Sequence, residues 1–159
     1  MSRTDLPSHT CTIARAAAQV GDEWTLLIVR EMFLGTRRFD DFLHLTGMSS
    51  HLLAQRLKKL EAEGVIRREL YSERPPRYEY RLTEKGRDLW PVIIALKQWG
   101  DGWLGTDDTP VLITHKACGK VVRPHLTCPD CGERIEAHDA EAQLSHTFEL
   151  ERQAVRRAP

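Results

Sequence analysis

Hydrophobic positions keep a helical spacing as far as Ala62, alternate from Val65 to Leu82, and return to helical spacing up to Leu104. The alanine-rich stretch Cys11 to Val20 predicts a short first helix. Gly21-Asp22-Glu23 interrupts it, and Asp22 is placed to cap the apolar run Trp24 to Phe33 by accepting a first-turn backbone N–H. Gly35-Thr36 ends that core helix, and Arg37 to Leu45 predicts a short amphipathic helix with Phe39, Phe42 and Leu43 on one face. After the turn Thr46-Gly47-Met48, Ser49 caps a helix in which Leu53, Leu57 and Leu60 fall at i, i+4 and i+7. The opposite side carries His51, Gln55 and Lys58, with Lys59 beside them, and Gly64 is the stop signal. Two helices joined by a glycine-containing turn fit a helix-turn-helix.

The period then changes. Val65 to Tyr71 reads as a strand, Ser72 to Arg77 as a loop holding two prolines, and Tyr78 to Leu82 as the returning strand. The result is a hairpin wing with arginines at its tip. Thr83 caps a long helix to about Leu104, with Leu89, Val92, Ile93, Leu96, Trp99 and Trp103 along one wide stripe; Pro91 kinks or divides it. The stripe and Trp90 suit core packing or a dimer seam, and the lining of an effector cavity is the alternative. Gly100 to Thr109 reads as a linker. The expected organisation is a flexible N-terminus over residues 1–10, a DNA-binding and dimerisation domain over 11–104, a linker and zinc knuckle over 105–138, and a polar tail over 139–159. In that tail Glu141 to Leu150 has helical character, and Val155 to Pro159 is expected to be disordered. The fold class is α+β, mainly α.

Charge changes the picture little. Lys+Arg and Asp+Glu both number 23 in 159 residues, so any basic face must come from placement. Arg30 to Arg81 carries 11 basic and eight acidic residues, a local excess of +3. No segment reaches the roughly 18 apolar residues of a membrane span, and Met1 to Thr10 lacks the apolar core of a secretory signal, so a cytoplasmic protein with no membrane partner is expected. No Ser/His/Asp order, phosphate-cradling glycine loop or open metal site argues for an enzyme.

Metal-ligand spacing stands out near the end of the chain. His115-x-x-Cys118-Gly119 and Cys128-x-x-Cys131-Gly132 repeat one pattern, and three thiolates with one imidazole complete a closed, structural zinc site with no position left for a catalytic water. The nine residues between the pairs are enough for a β-hairpin. His125 or His138 could replace His115, and a Cys128–Cys131 disulfide or a metal-free hairpin with reduced thiols are the other readings. Cys11, a lone cysteine beside an alanine-rich helix, reads on its own as a small buried hydrophobe.

The blocks Val20-Gly21-Asp22-Glu23-Trp24-Thr25-Leu26-Leu27-Ile28, Gly35 to Phe42, Leu53 to Leu60, Pro75-Pro76-Arg77-Tyr78-Glu79-Tyr80 and Leu82-Thr83-Glu84-Lys85-Gly86 resemble, in order and spacing, an HxlR-type (MarR-like) winged-helix regulator over about residues 11 to 104. The resemblance implies a homodimeric transcription factor, usually a repressor, with its dimer interface built from the N- and C-terminal helices. It also places Cys11 where some members carry a redox or electrophile sensor. The extension after Leu104 is a departure from the shortest members.

On this frame Ser49, Ser50, His51 and Gln55 are the candidate groove contacts, and Gln55 can pair with an adenine edge. Lys58, Lys59, Arg37 and Arg38 are expected at phosphates, and Arg74 and Arg77 suit a narrow minor groove. The expected function is a repressor of a palindromic double-stranded operator, released by an oxidant, electrophile or small ligand. The alternative is a protein-interaction adaptor that no longer reads DNA and docks through the knuckle.

Overall fold

The structure, a computed structural model, describes residues 9–105 and 109–157. Most of the expected flexible N-terminus, the linker aspartates Asp107 and Asp108, and the last two residues of the tail lie outside them. The chain forms two compact units, Met1–Ile93 and Ile94–Pro159.

In the first unit, helices α1 (Thr12–Val20), α2 (Glu23–Phe33), α3 (Phe39–Thr46) and α4 (Ser50–Ala62) precede a hairpin of β1 (Ile66–Glu73) and β2 (Pro76–Leu82). The short α5 (Glu84–Arg87) follows, and then α6 (Trp90–Trp103). The architecture is mainly helical with small antiparallel sheets, a winged helix-turn-helix. One core holds the first unit together. Ile28, Met32, Phe42, Leu53, Leu57, Leu60, Val65 and Ile66 are buried in it, with Trp24, Phe39, Leu43, Tyr80 and Leu82 packed around them. Burying each of these large side chains contributes about 1.5–3 kcal/mol.

Local chemistry sets the element ends. Asp22 caps α2 by accepting from the Thr25 backbone N–H (3.1 Å) and from the Thr25 hydroxyl (2.6 Å). Ser49 caps α4 by accepting from Leu52 N–H at 3.3 Å. Between α3 and α4, Gly47 has φ +69°, a left-handed conformation in which a side chain would be strained.

Two boundaries differ from expectation, at the wing turn and at Gly100. The wing strands reach further, pairing Glu73 with Pro76 so that the turn is Arg74-Pro75 rather than Ser72 to Arg77. Of the two outcomes expected after the wing, a kink or a division, the helix is divided: α5 ends at Arg87, and α6 begins with Pro91 as its second residue, where a missing N–H costs no helical bond. Gly100, expected to open a linker, lies inside α6. A further strand contact joins Arg38 to Glu79, with Tyr80 N–H donating to Arg37 O at 2.9 Å.

The second unit contains most of α6, the two-residue strands β3 (Thr114–His115) and β4 (Lys120–Val121), and α7 (His146–Arg157). α7 includes Val155 to Arg157, which were expected to be disordered. Ser145 starts it, its hydroxyl accepting from Phe148 N–H at 3.3 Å, and Glu149 in the first turn with Arg156 and Arg157 in the last complement the helix dipole.

Candidate nucleic-acid interface

The exposed face of α4 is built by exclusion. Leu53, Leu57 and Leu60 are buried, which leaves Ser50, His51, Ala54, Gln55 and Lys58 exposed as one continuous strip. Ala54 was missed by sequence reasoning, though its position three residues beyond His51 gave the signal; its methyl group suits contact with a thymine methyl. The Gln55 amide nitrogen donates to His51 Nε2 at 2.9 Å, so the two candidate base readers orient each other.

The expected phosphate contacts separate into two groups. Lys58, Arg74 and Arg77 are exposed and make no ion pair or side-chain hydrogen bond with the described residues. Lys59 and Arg37 are engaged within the fold. Lys59 Nζ donates to Ala18 O at 2.8 Å and ties α4 to α1. Arg37 Nη1 donates to Met32 O (2.9 Å) and Thr36 O (3.3 Å), completing the carboxyl end of α2. Arg38 is intermediate: exposed, with its guanidinium 4.9 Å from the centre of the Tyr71 ring and 3.7 Å from Glu79.

The wing carries its ion-paired charges Arg67, Glu69, Glu79 and Arg81 on one face and the rings of Tyr78 and Tyr80 on the other. Glu69 bonds both Arg67 and Arg81 at 2.7 Å, and the Arg67 hydrogen bond is the main cause holding its carboxyl below the ordinary glutamate value. On the other face Arg68 stacks 4.4 Å above Tyr78. The tip arginines therefore project from a hairpin braced on both sides.

In the second unit each ligand-type pair sits in the turn of its own hairpin, not on either side of one hairpin as expected. β3 and β4 close around His115 to Cys118, and a bridge between Thr127 and Arg134 closes around Cys128 to Cys131. Backbone hydrogen bonds from Cys131 first, then Asp130, lower the Cys128 thiol below its ordinary value. Among the described residues no three His, Cys, Asp or Glu side chains gather into one coordination sphere, and all four cysteines are free.

Cys11 occupies the N-cap of α1, half-buried, with its backbone N–H bonded to His9 Nδ1 at 3.0 Å. A cavity of about 240 Å³ lies in the second unit between the Ile94, Gln98 and Asp101 face of α6 and residues 111–113 and 121–124. Trp90, Trp99 and Trp103 do not line it, so the tryptophan-lined effector cavity is not formed there.

A recognition helix with an open polar face, a glycine turn before it and an arginine-tipped hairpin after it define a winged helix-turn-helix transcriptional regulator. The profile of the HxlR-like helix-turn-helix family matches residues 19–108, and the chain belongs to that family. It is 43% identical over 129 residues to the HTH-type transcriptional regulator Rv3095 of Mycobacterium tuberculosis, covering 80% of this chain and 82% of that one. It is 42% identical over 97 residues to the HTH-type regulator sll1512 of Synechocystis, covering 60% and 72%. The crystal structure of PA1607, a candidate transcription factor, matches with a TM-score of 0.76 at 33% identity, over 87% of this chain and 98% of that one. The oxidised form of the redox regulator HypR matches with a TM-score of 0.55 at 33% identity, over 58% and 96%. The protein is a transcriptional regulator of the helix-turn-helix type and not an enzyme. Regulators of this fold bind DNA and commonly dimerise. No helix among the described residues is long and apolar enough to cross a membrane.

Proposed function

We propose that the chain is a homodimeric, cytoplasmic repressor that binds a palindromic operator and is released by an oxidant, an electrophile or a small ligand. The observation that carries this reading is the outward strip of α4, whose exposed His51, Ala54, Gln55 and Lys58 stand opposite three buried leucines. A helix with that division enters a major groove with its polar side toward base edges. Ser49 and Ser50 lie at its start, where backbone N–H groups suit a phosphate. Arg74 and Arg77 extend the contact into the adjoining minor groove, and Arg38 lies where it can reach the backbone. Two-fold symmetry then sets the half-sites about 34–36 Å apart. HypR, a redox regulator of the same fold, supports an oxidant as effector, with Cys11 as the candidate thiol.

The test is an electrophoretic titration of the reduced protein against its own upstream intergenic DNA at two salt concentrations. Saturable binding that falls steeply with salt is expected. Gln55→Ala should cost about 1–3 kcal/mol and relax specificity at one base position, while Lys58→Ala should reduce the salt slope by about 1. Lys59→Ala should leave that slope unchanged, because its ammonium already serves Ala18. A dimer that binds this DNA no better than a scrambled competitor would replace the repressor reading with the adaptor one.

A further inference from the structure

Two stretches of the second unit adopt the same turn. In the first, Gly119 N–H returns to His115 O at 2.8 Å, with Gly119 at φ +69°. In the second, Gly132 N–H returns to Cys128 O at 2.9 Å, with Gly132 at φ +76°. Flanking ladders are also matched: Val122 N–H to Ile113 O at 2.8 Å in one, Ile135 N–H to Leu126 O at 3.0 Å in the other. In the first turn the two soft ligands meet, with Cys118 Sγ 3.4 Å from His115 Nδ1, and the second turn carries Cys128 and Cys131 at the matching positions.

A second observation, independent of ligand type, concerns what holds these turns. Among the described residues from 95 onward none is buried, and no cysteine is in a disulfide. A segment this small without an apolar core needs a cross-link. The polar tie that is present, Gln98 Nε2 to Pro124 O at 2.5 Å, fixes only the strand after the first turn to α6.

We propose that one Zn²⁺ is bound by His115, Cys118, Cys128 and Cys131, joining the two turns into a ribbon braced on α6. The metal draws the two turns into a single tetrahedron, as coordination energy does in small metal-dependent folds. Binding displaces three thiol protons to solvent, leaves imidazole neutral, and changes no oxidation state. The sphere is filled by protein, so the role is structural. His115 is the fourth ligand because its ring already faces Cys118, whereas His138 Nε2 faces Asp139 at 3.3 Å and His125 Nδ1 faces the Arg123 carbonyl at 3.5 Å.

This inference does not depend on DNA binding and can fail without it. The full chain is purified reduced, without chelator, and its zinc is measured by mass spectrometry. About one zinc per chain is expected, falling at least tenfold in Cys128→Ser and unchanged in Cys11→Ser. Because the serine variant can misfold, cobalt titration of the metal-free wild-type protein is the second measurement. Tetrahedral d–d bands with thiolate-to-cobalt charge transfer support the site. Substoichiometric zinc together with featureless cobalt spectra overturns it, as does zinc content that survives Cys128→Ser. Recovery of a Cys128–Cys131 disulfide from metal-free, unreduced protein would put a redox pair in its place.

Discussion

Asp22 shows how much one side chain can organise. Its carboxylate caps α2 through Thr25 and pairs with Arg56 on α4 at 3.0 Å, while its side chain is 9% exposed. Burial pushes its pKa up, but the two Thr25 hydrogen bonds and the Arg56 and Lys59 charges outweigh that and hold it below the ordinary aspartate value. A carboxyl depressed in the folded state contributes stability above its unfolded pKa and loses it as pH falls through the folded one. Asp22→Ala should therefore cost about 1–2 kcal/mol near neutral pH, the usual worth of such a cap. Urea midpoints of the two proteins should converge as pH drops below the ordinary aspartate value; a gap that stays constant with pH would contradict the role. The cap was legible because Asp before an apolar run has a local mechanism. The roles of Lys59 and Arg37 were not, since their partners are main-chain carbonyls that leave no trace in composition or period.

At the scale of elements, the junction of wing and α5 depends on an absent side chain. A Cβ at Gly86 would meet Val65 O at 2.1 Å and Leu82 Cδ2 at 2.9 Å. Helix propensity alone would make Gly86→Ala stabilising by about 1 kcal/mol. The backbone contact is far inside any tolerable distance, so the sign reverses, and a loss on the order of 1–3 kcal/mol is expected from the forced shift. Gly102→Ala is the control, with open space around its Cβ in α6, and should be neutral or stabilising. Denaturant midpoints that move the same way in both variants would refute the steric account. The wing itself was readable from alternation, but its turn was not. Two prolines suggested a longer loop, whereas Pro76 closes the last ladder pair at the tip, where its missing N–H disturbs little. The Arg38–Glu79 bridge was invisible for a different reason: one residue has no period.

The whole molecule carries no net charge, so long-range repulsion does not oppose self-association, and affinity for DNA has to come from the local face of α4 and the wing. α6 is used on two sides. Ile94, Lys97, Gln98 and Asp101 lie on one face and line the cavity of the second unit. On the opposite face Val92, Leu96, Trp99 and Trp103 recur at i, i+4, i+7 and i+11 and are 45%, 47%, 57% and 77% exposed. Sequence periodicity finds such a stripe but cannot tell a core from a seam, because both require the same spacing. Exposure excludes the core: two tryptophans and two aliphatic side chains are left in water on one helix face, a patch of the kind that suits association. Ile13 on α1, 78% exposed, is a second apolar position of the same kind. With a second copy of the chain as the partner, Trp99→Glu should weaken dimerisation at least tenfold, about 1.4 kcal/mol or more. The melting temperature of the monomeric variant should stay within a few degrees of a wild-type monomer obtained by dilution, since the side chain is already exposed. Sedimentation across a concentration series measures the first quantity. If the operator is the palindrome proposed above, loss of dimer should carry its binding away as well, because such a site is held through both half-sites. A variant that remains dimeric, or a wild-type chain that sediments as a monomer at micromolar concentration, would move the seam away from α6.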